Sequence, residues 1–152
     1  MKPEPLIARP LTFAHLPATA ALLWGLTLAV YRAQGPEGFF WENVAFYWLP
    51  QMLVLGLLLV TRPPRALFTG IALALAVHLQ AFSLWITSSI DVMGWLFYLF
   101  DFPGALIGAG VARYWAYRNA PSNPAITTLL GFGWVMVGLL VNLALVGLSQ
   151  QI

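Results

Sequence analysis

Apolar residues run along this chain in long, nearly unbroken blocks, without the strict alternation of a half-buried strand or the polar face of a surface helix. About 20 consecutive apolar residues carry a helix across a bilayer core. Five blocks reach that length: about Leu16 to Arg32, Asn43 to Thr61, Ala66 to Ser88, Met93 to Tyr117 and Ala125 to Ser149. Short segments of turn composition separate them, including Gly35-Pro36-Glu37-Gly38, Arg62-Pro63-Pro64-Arg65 and Ser88-Ser89-Ile90-Asp91. Pro17 falls in a first helical turn, where its missing N–H does no harm. Pro50 and Pro103 fall inside helices and are expected to kink them. The predicted fold is an all-α integral membrane protein, a bundle of five transmembrane helices. Residues 1–152 form one domain, because no loop is long enough to fold by itself. The first block ends in Tyr31-Arg32-Ala33 and lacks the small-x-small cleavage pattern, so it reads as a retained span rather than a signal peptide.

Composition agrees with that pattern. The chain is 61% hydrophobic and 8% charged, with a mean hydropathy of +0.82. A soluble domain carries about 25% charged residues, so this one must be covered by lipid. Its lack of cysteine excludes disulfides, thiolate metal sites and CxxC redox chemistry. The basic residues are few and scattered, which argues against nucleic acid; membrane topology accounts for them better. With five spans, Lys2, Arg9, Arg62, Arg65, Arg113 and Arg118 fall on one side and Arg32 alone on the other, predicting N-inside and C-outside. The expected location is a bacterial inner membrane. Tyr31, Trp41, Trp48, Trp85 and Trp95 near one boundary, and Tyr114, Trp115 and Tyr117 near the other, read as aromatic belts. The dense run Gly38-Phe39-Phe40-Trp41 reads as lying flat on the outer interface or covering a pocket.

Within this apolar frame Asp101 stands out. A carboxylate inside a span costs about 2.5–3.5 kcal/mol on insertion scales and marks a functional site by default. The third and fourth spans are antiparallel across a short turn. His78, ten residues before Ser88, lies roughly 15 Å from that turn, and Asp101 lies roughly 13–14 Å from it. The two therefore sit at one depth. Asp101 shares a helix face with Gly104, Gly108 and Ala112, and His78 shares one with Gly70, Ala74 and Ala81. If these small-residue stripes meet, the imidazole and the carboxylate come into contact. Gln51, Asn142 and Gln80, with Ser83 and Thr27, fall near the same level. The expectation is a polar pocket in the outer half. The plainer reading is a satisfied His78–Asp101 pair, with Gln51 and Asn142 as interhelical glue.

Other chemistry is absent. No nucleophile elbow, HExxH, Walker loop, dinucleotide fingerprint or zinc pattern occurs. Ser83 and His78 are not spaced to face each other on one helix. His15 lies near the inner boundary, too far from His78 for both to ligate one haem. Ala74-Leu75-Ala76-Val77-His78 resembles the Ala-xxx-His arrangement of light-harvesting polypeptides over those five residues. That resemblance implies a tetrapyrrole with His78 as axial ligand. The favoured expectation is a non-enzymatic subunit of a larger membrane complex, partnered by other membrane subunits or by copies of itself. Its polar layer would bind a partner helix, a lipid or a quinone-like ligand. The alternatives are a small proton-coupled transporter using Asp101 and a pigment- or haem-binding protein using His78.

Overall fold

The computed structural model describes residues 16–34, 38–88 and 94–149. His15, Asp91, the turn at 89–93, and Lys2 and Arg9 of the topology argument lie outside them. The described residues form six helices: α1 (Leu16–Ala33), α2 (Phe40–Val60), α3 (Arg65–Ser88), α4 (Gly94–Phe100), α5 (Phe102–Asn119) and α6 (Pro124–Ser149). α4 and α5 continue one another, so the chain presents five spans long and apolar enough to cross a membrane. Their number, length and composition are those of a multi-pass membrane protein.

Local chemistry sets the helix ends. Asn123 caps α6 by accepting the Ala125 N–H on Oδ1 at 2.9 Å, and Pro124 opens the helix where no N–H is needed. α5 ends at Ala120, whose left-handed φ of 37° lets its N–H close on the Ala116 carbonyl. α2 begins at Phe40, earlier than its hydropathy suggested. Phe39 and Trp41 are therefore exposed beside its first turn, and neither lines the pocket described below.

α3 is the most buried span, and it touches every other helix. Small residues set how closely its neighbours approach. On α1 the four-residue repeat Ala21, Gly25, Ala29 and Ala33 is buried toward α2 and α3. α6 packs most extensively on α3 and α5. A Cβ at Gly104 would collide with the Gly138 carbonyl, one at Gly108 with the Trp134 carbonyl, and one at Gly70 with the Thr128 carbonyl. The expected meeting of the Gly104-Gly108 stripe with the Gly70-Ala74 stripe is therefore corrected. Both stripes lie against α6, which receives α5 at Gly138 and α3 at Thr128 and Gly131. Ala74 and Ala112 are fully buried, whereas Ala81 is exposed beside the His78 cleft.

Candidate functional site

Two prolines create the polar interior. Pro103 has no N–H to give the Leu99 carbonyl, and its ring crowds the preceding turn. The fourth span breaks there, with Asp101 at the joint between α4 and α5. The Phe100 carbonyl, three residues before the proline, accepts from the Asn142 amide of α6. Pro50 lies inside α2, which continues unbroken through it. The Tyr47 carbonyl, again three residues before a proline, accepts the Tyr98 hydroxyl of α4 at 2.8 Å. Gln51 donates from Nε2 to the Tyr98 hydroxyl at 3.1 Å and to the Tyr47 carbonyl at 3.4 Å. Its Oε1 lies over Gly25 of α1. Tyr98 and Asn142 thus reach from neighbouring helices to backbone carbonyls beside the two prolines.

Tyr98 is the residue that sequence reasoning missed. It is fully buried, and its ring stacks on His78 at 5.6 Å between centroids and 10° between planes. Phe102 meets the same imidazole edge-on at 6.3 Å. These rings hold His78 with Nε2 at 3.6 Å from Asp101 Oδ2. That separation exceeds the usual 2.7–3.2 Å of an N–H···O hydrogen bond. His78 Nε2 and Asp101 Oδ1 are both buried without a hydrogen-bond partner. The Asp101 side chain is 6% exposed and that of His78 13%. The Asn142 amide also lies against the Asp101 carboxyl group.

A cleft of about 490 Å³ reaches this pair from the flank of the bundle. His78 and Asp101 supply its polar lining. Phe82, Trp85 and Phe97 form an aromatic wall, with Phe82 and Trp85 rings 5.8 Å apart and Trp85 and Phe97 rings 6.3 Å apart. Met136, Leu139, Leu140 and Leu143 of α6 form the opposite wall. Trp85, Leu140 and Leu143 are exposed on the apolar flank, and the cleft opens there.

The other sequence candidates divide. Gln51 reaches the pair only through Tyr98, and it does not line the cleft. Asn142 belongs to the pair's surroundings. Gln80 is half-buried and lines none of the cleft, and Thr27 is exposed. Ser83 is buried beneath Arg32, which donates from Nε to its hydroxyl and from Nη2 to its carbonyl at 2.7 Å. The single polar layer is thus resolved into two clusters that meet at Tyr98 and a separate Arg32–Ser83 contact. Ala74, expected to leave room for a flat macrocycle beside His78, is covered by protein. No group of three or more metal-ligating side chains occurs among the described residues. Comparison with protein-family models, curated proteins and solved structures gives no match.

Proposed function

We propose that this chain is a non-enzymatic subunit of a larger membrane complex, set N-inside and C-outside in a bacterial inner membrane. Its His78–Asp101 cleft receives a quinone-like ligand from the bilayer. One observation carries the reading. Two buried polar atoms without partners, His78 Nε2 and Asp101 Oδ1, stand at a laterally open apolar cleft. Buried polar groups are nearly always satisfied, and each exception calls for a ligand, a water or an ion. A ring bearing carbonyl or hydroxyl oxygens answers both atoms, since an imidazole N–H donates to a carbonyl and a carboxylate accepts from a hydroxyl. The aromatic wall suits a flat ring, and the side opening suits an apolar tail. Lipophilic ligands are held by such apolar sites with a few placed polar groups.

The carrier reading has less support. Between the pair and the arginine-bearing end, the interior is filled by Ile71, Leu75, Ala105, Ala109 and Ala112, which offer no polar route. The tetrapyrrole reading loses its flat surface at Ala74.

Quenching of tryptophan fluorescence by decylubiquinone in the detergent-purified protein tests the cleft. Saturable quenching is expected, much of it lost in Trp85→Phe. His78→Leu is expected to weaken it about tenfold, and Asp101→Asn to weaken about tenfold the competition by the reduced decylubiquinol, whose hydroxyl can donate to the carboxylate. Quenching that never saturates, or quenching and competition that the two substitutions leave unchanged, overturns the reading. Native mass spectrometry of gently extracted protein tests the subunit role. A stoichiometric assembly with other polypeptides supports it, and a bare monomer overturns it.

A further inference from the structure

A second recess of about 500 Å³ lies at the other end of the bundle, where α2 and α5 finish and α3 and α6 begin. Arg62 and Arg113 line it, with Pro63, Tyr117, Pro121 and Thr127 among its walls. Arg62 is held at a left-handed φ of 49°, a conformation uncommon outside glycine. The two prolines that follow restrict the loop. Arg113 is fixed from the opposite side. It donates from Nη2 to the Thr61 carbonyl at 3.1 Å and from Nε to the Thr61 hydroxyl at 3.3 Å, and its guanidinium lies 5.7 Å from the Tyr117 ring centroid. A guanidinium has five N–H donors, so this anchoring leaves others uncommitted.

No carboxylate answers these cations among the described residues. The described acidic side chains are Glu42, in the first turn of α2, and Asp101. Both lie toward the other end, and Asp101 faces His78 at 3.6 Å. Arg62, Arg65, Arg113 and Arg118 therefore concentrate positive charge at one boundary of the spans. Basic recesses between transmembrane helices at that level bind anionic headgroups, and the guanidinium fork matches phosphate oxygens.

We propose that the Arg62–Arg113 recess binds a phosphate group, with Arg62 and Arg113 reaching it from two different elements. Pro63, Ala116 and Tyr117 would cover the apolar part of the molecule that carries it. The phosphate belongs either to an anionic phospholipid or to a free phosphate compound. The site is independent of the His78–Asp101 cleft.

The test compares retention of phosphatidylglycerol and phosphatidylcholine by the full chain in native mass spectrometry, together with the shift in Tm produced by inorganic phosphate. Preferential retention of phosphatidylglycerol with no response to phosphate identifies a lipid site. A phosphate-induced rise in Tm that displaces the lipid identifies the free anion as the source. Arg62→Gln is expected to reduce retention about fivefold, the scale of one cationic side chain at an anionic surface. Arg65→Gln and Arg118→Gln remove the same charge outside the recess and are expected to change retention less than about twofold. Because Arg113 also ties down Thr61, Arg62→Gln is the decisive substitution. Equal retention of the two lipids without a phosphate response overturns the proposal. So does an equal loss in Arg62→Gln and Arg65→Gln, which would mean diffuse surface charge.

Discussion

The polar surroundings of Pro50 and Pro103 use the same device and reach different ends. Each proline leaves a carbonyl three residues upstream in the grip of another helix: Tyr47 with the Tyr98 hydroxyl, Phe100 with the Asn142 amide. Around Pro50 the accounting closes. Gln51, Tyr98 and the Tyr47 carbonyl bond one another, and the cluster is buried. Around Pro103 it does not close. Asp101 at the break keeps one oxygen without a partner, facing a histidine whose Nε2 is also without one. Burial alone does not separate a structural polar cluster from a binding site. Satisfaction does, because a complete network in a low-dielectric interior rigidifies the bundle and an incomplete one retains the capacity to bind.

Substitutions can break this comparison, and their effects should descend in a definite order. Gly104→Leu removes the support common to both halves. Its side chain has no room against the Gly138 carbonyl and the Asn142 Cβ, so α5 and α6 must part. The expected loss is about 3 kcal/mol or more, read as unfolding or a large fall in Tm in detergent. Wild-type stability would show that α6 does not seat on this stripe.

Tyr98→Phe acts on the closed cluster. It removes the hydroxyl that joins Gln51 to the Tyr47 carbonyl but keeps the ring on His78. A stability loss of about 1–2 kcal/mol is expected, the upper range for interhelical hydrogen bonds in membranes. Decylubiquinone affinity should change little. Asp101→Asn acts on the open pair and should reverse the pattern. Stability is expected to change by less than about 0.5 kcal/mol, within the range of sites that lack a tight network, while affinity for the reduced decylubiquinol, which donates a hydroxyl to the carboxylate, falls about tenfold. Equal stability losses in these two variants would make the His78–Asp101 pair structural glue. Gln80→Leu, at the level of the pair but outside the cleft, should alter neither Tm nor quenching. A measurable effect there would mean that the polar layer extends further than the two clusters.

Part of this organisation can be read directly along the chain. The spans were legible because bilayer thickness converts hydropathy into length, and their observed ends fall within a few residues of the hydropathy blocks. The shared level of His78 and Asp101 was legible because both are counted from one short turn. Tyr98 was not, since an aromatic residue in an apolar run carries no periodic signal. A usable clue was present in Pro50 and Pro103 themselves, because a proline interrupts the helical hydrogen bonding around it and invites donors from neighbouring helices. The Arg32–Ser83 contact was equally hidden, as it joins residues 51 positions apart on helices whose rotation about their axes hydropathy leaves open.

The amino-acid sequence by itself therefore determined the all-helical class of the molecule, the number of its apolar spans and the shared level of His78 and Asp101. Each of these follows from local composition and a fixed rise per residue. Tertiary structure decided which faces meet. It turned both glycine stripes onto α6, set Tyr98 between Gln51 and His78, and left the imidazole and the carboxylate slightly too far apart to satisfy each other. The physical reason is that lipid gives every apolar face of a helix nearly the same reward. Rotation and neighbour choice are then settled by close packing and the few available hydrogen bonds, and these exist only once all the helices are in place.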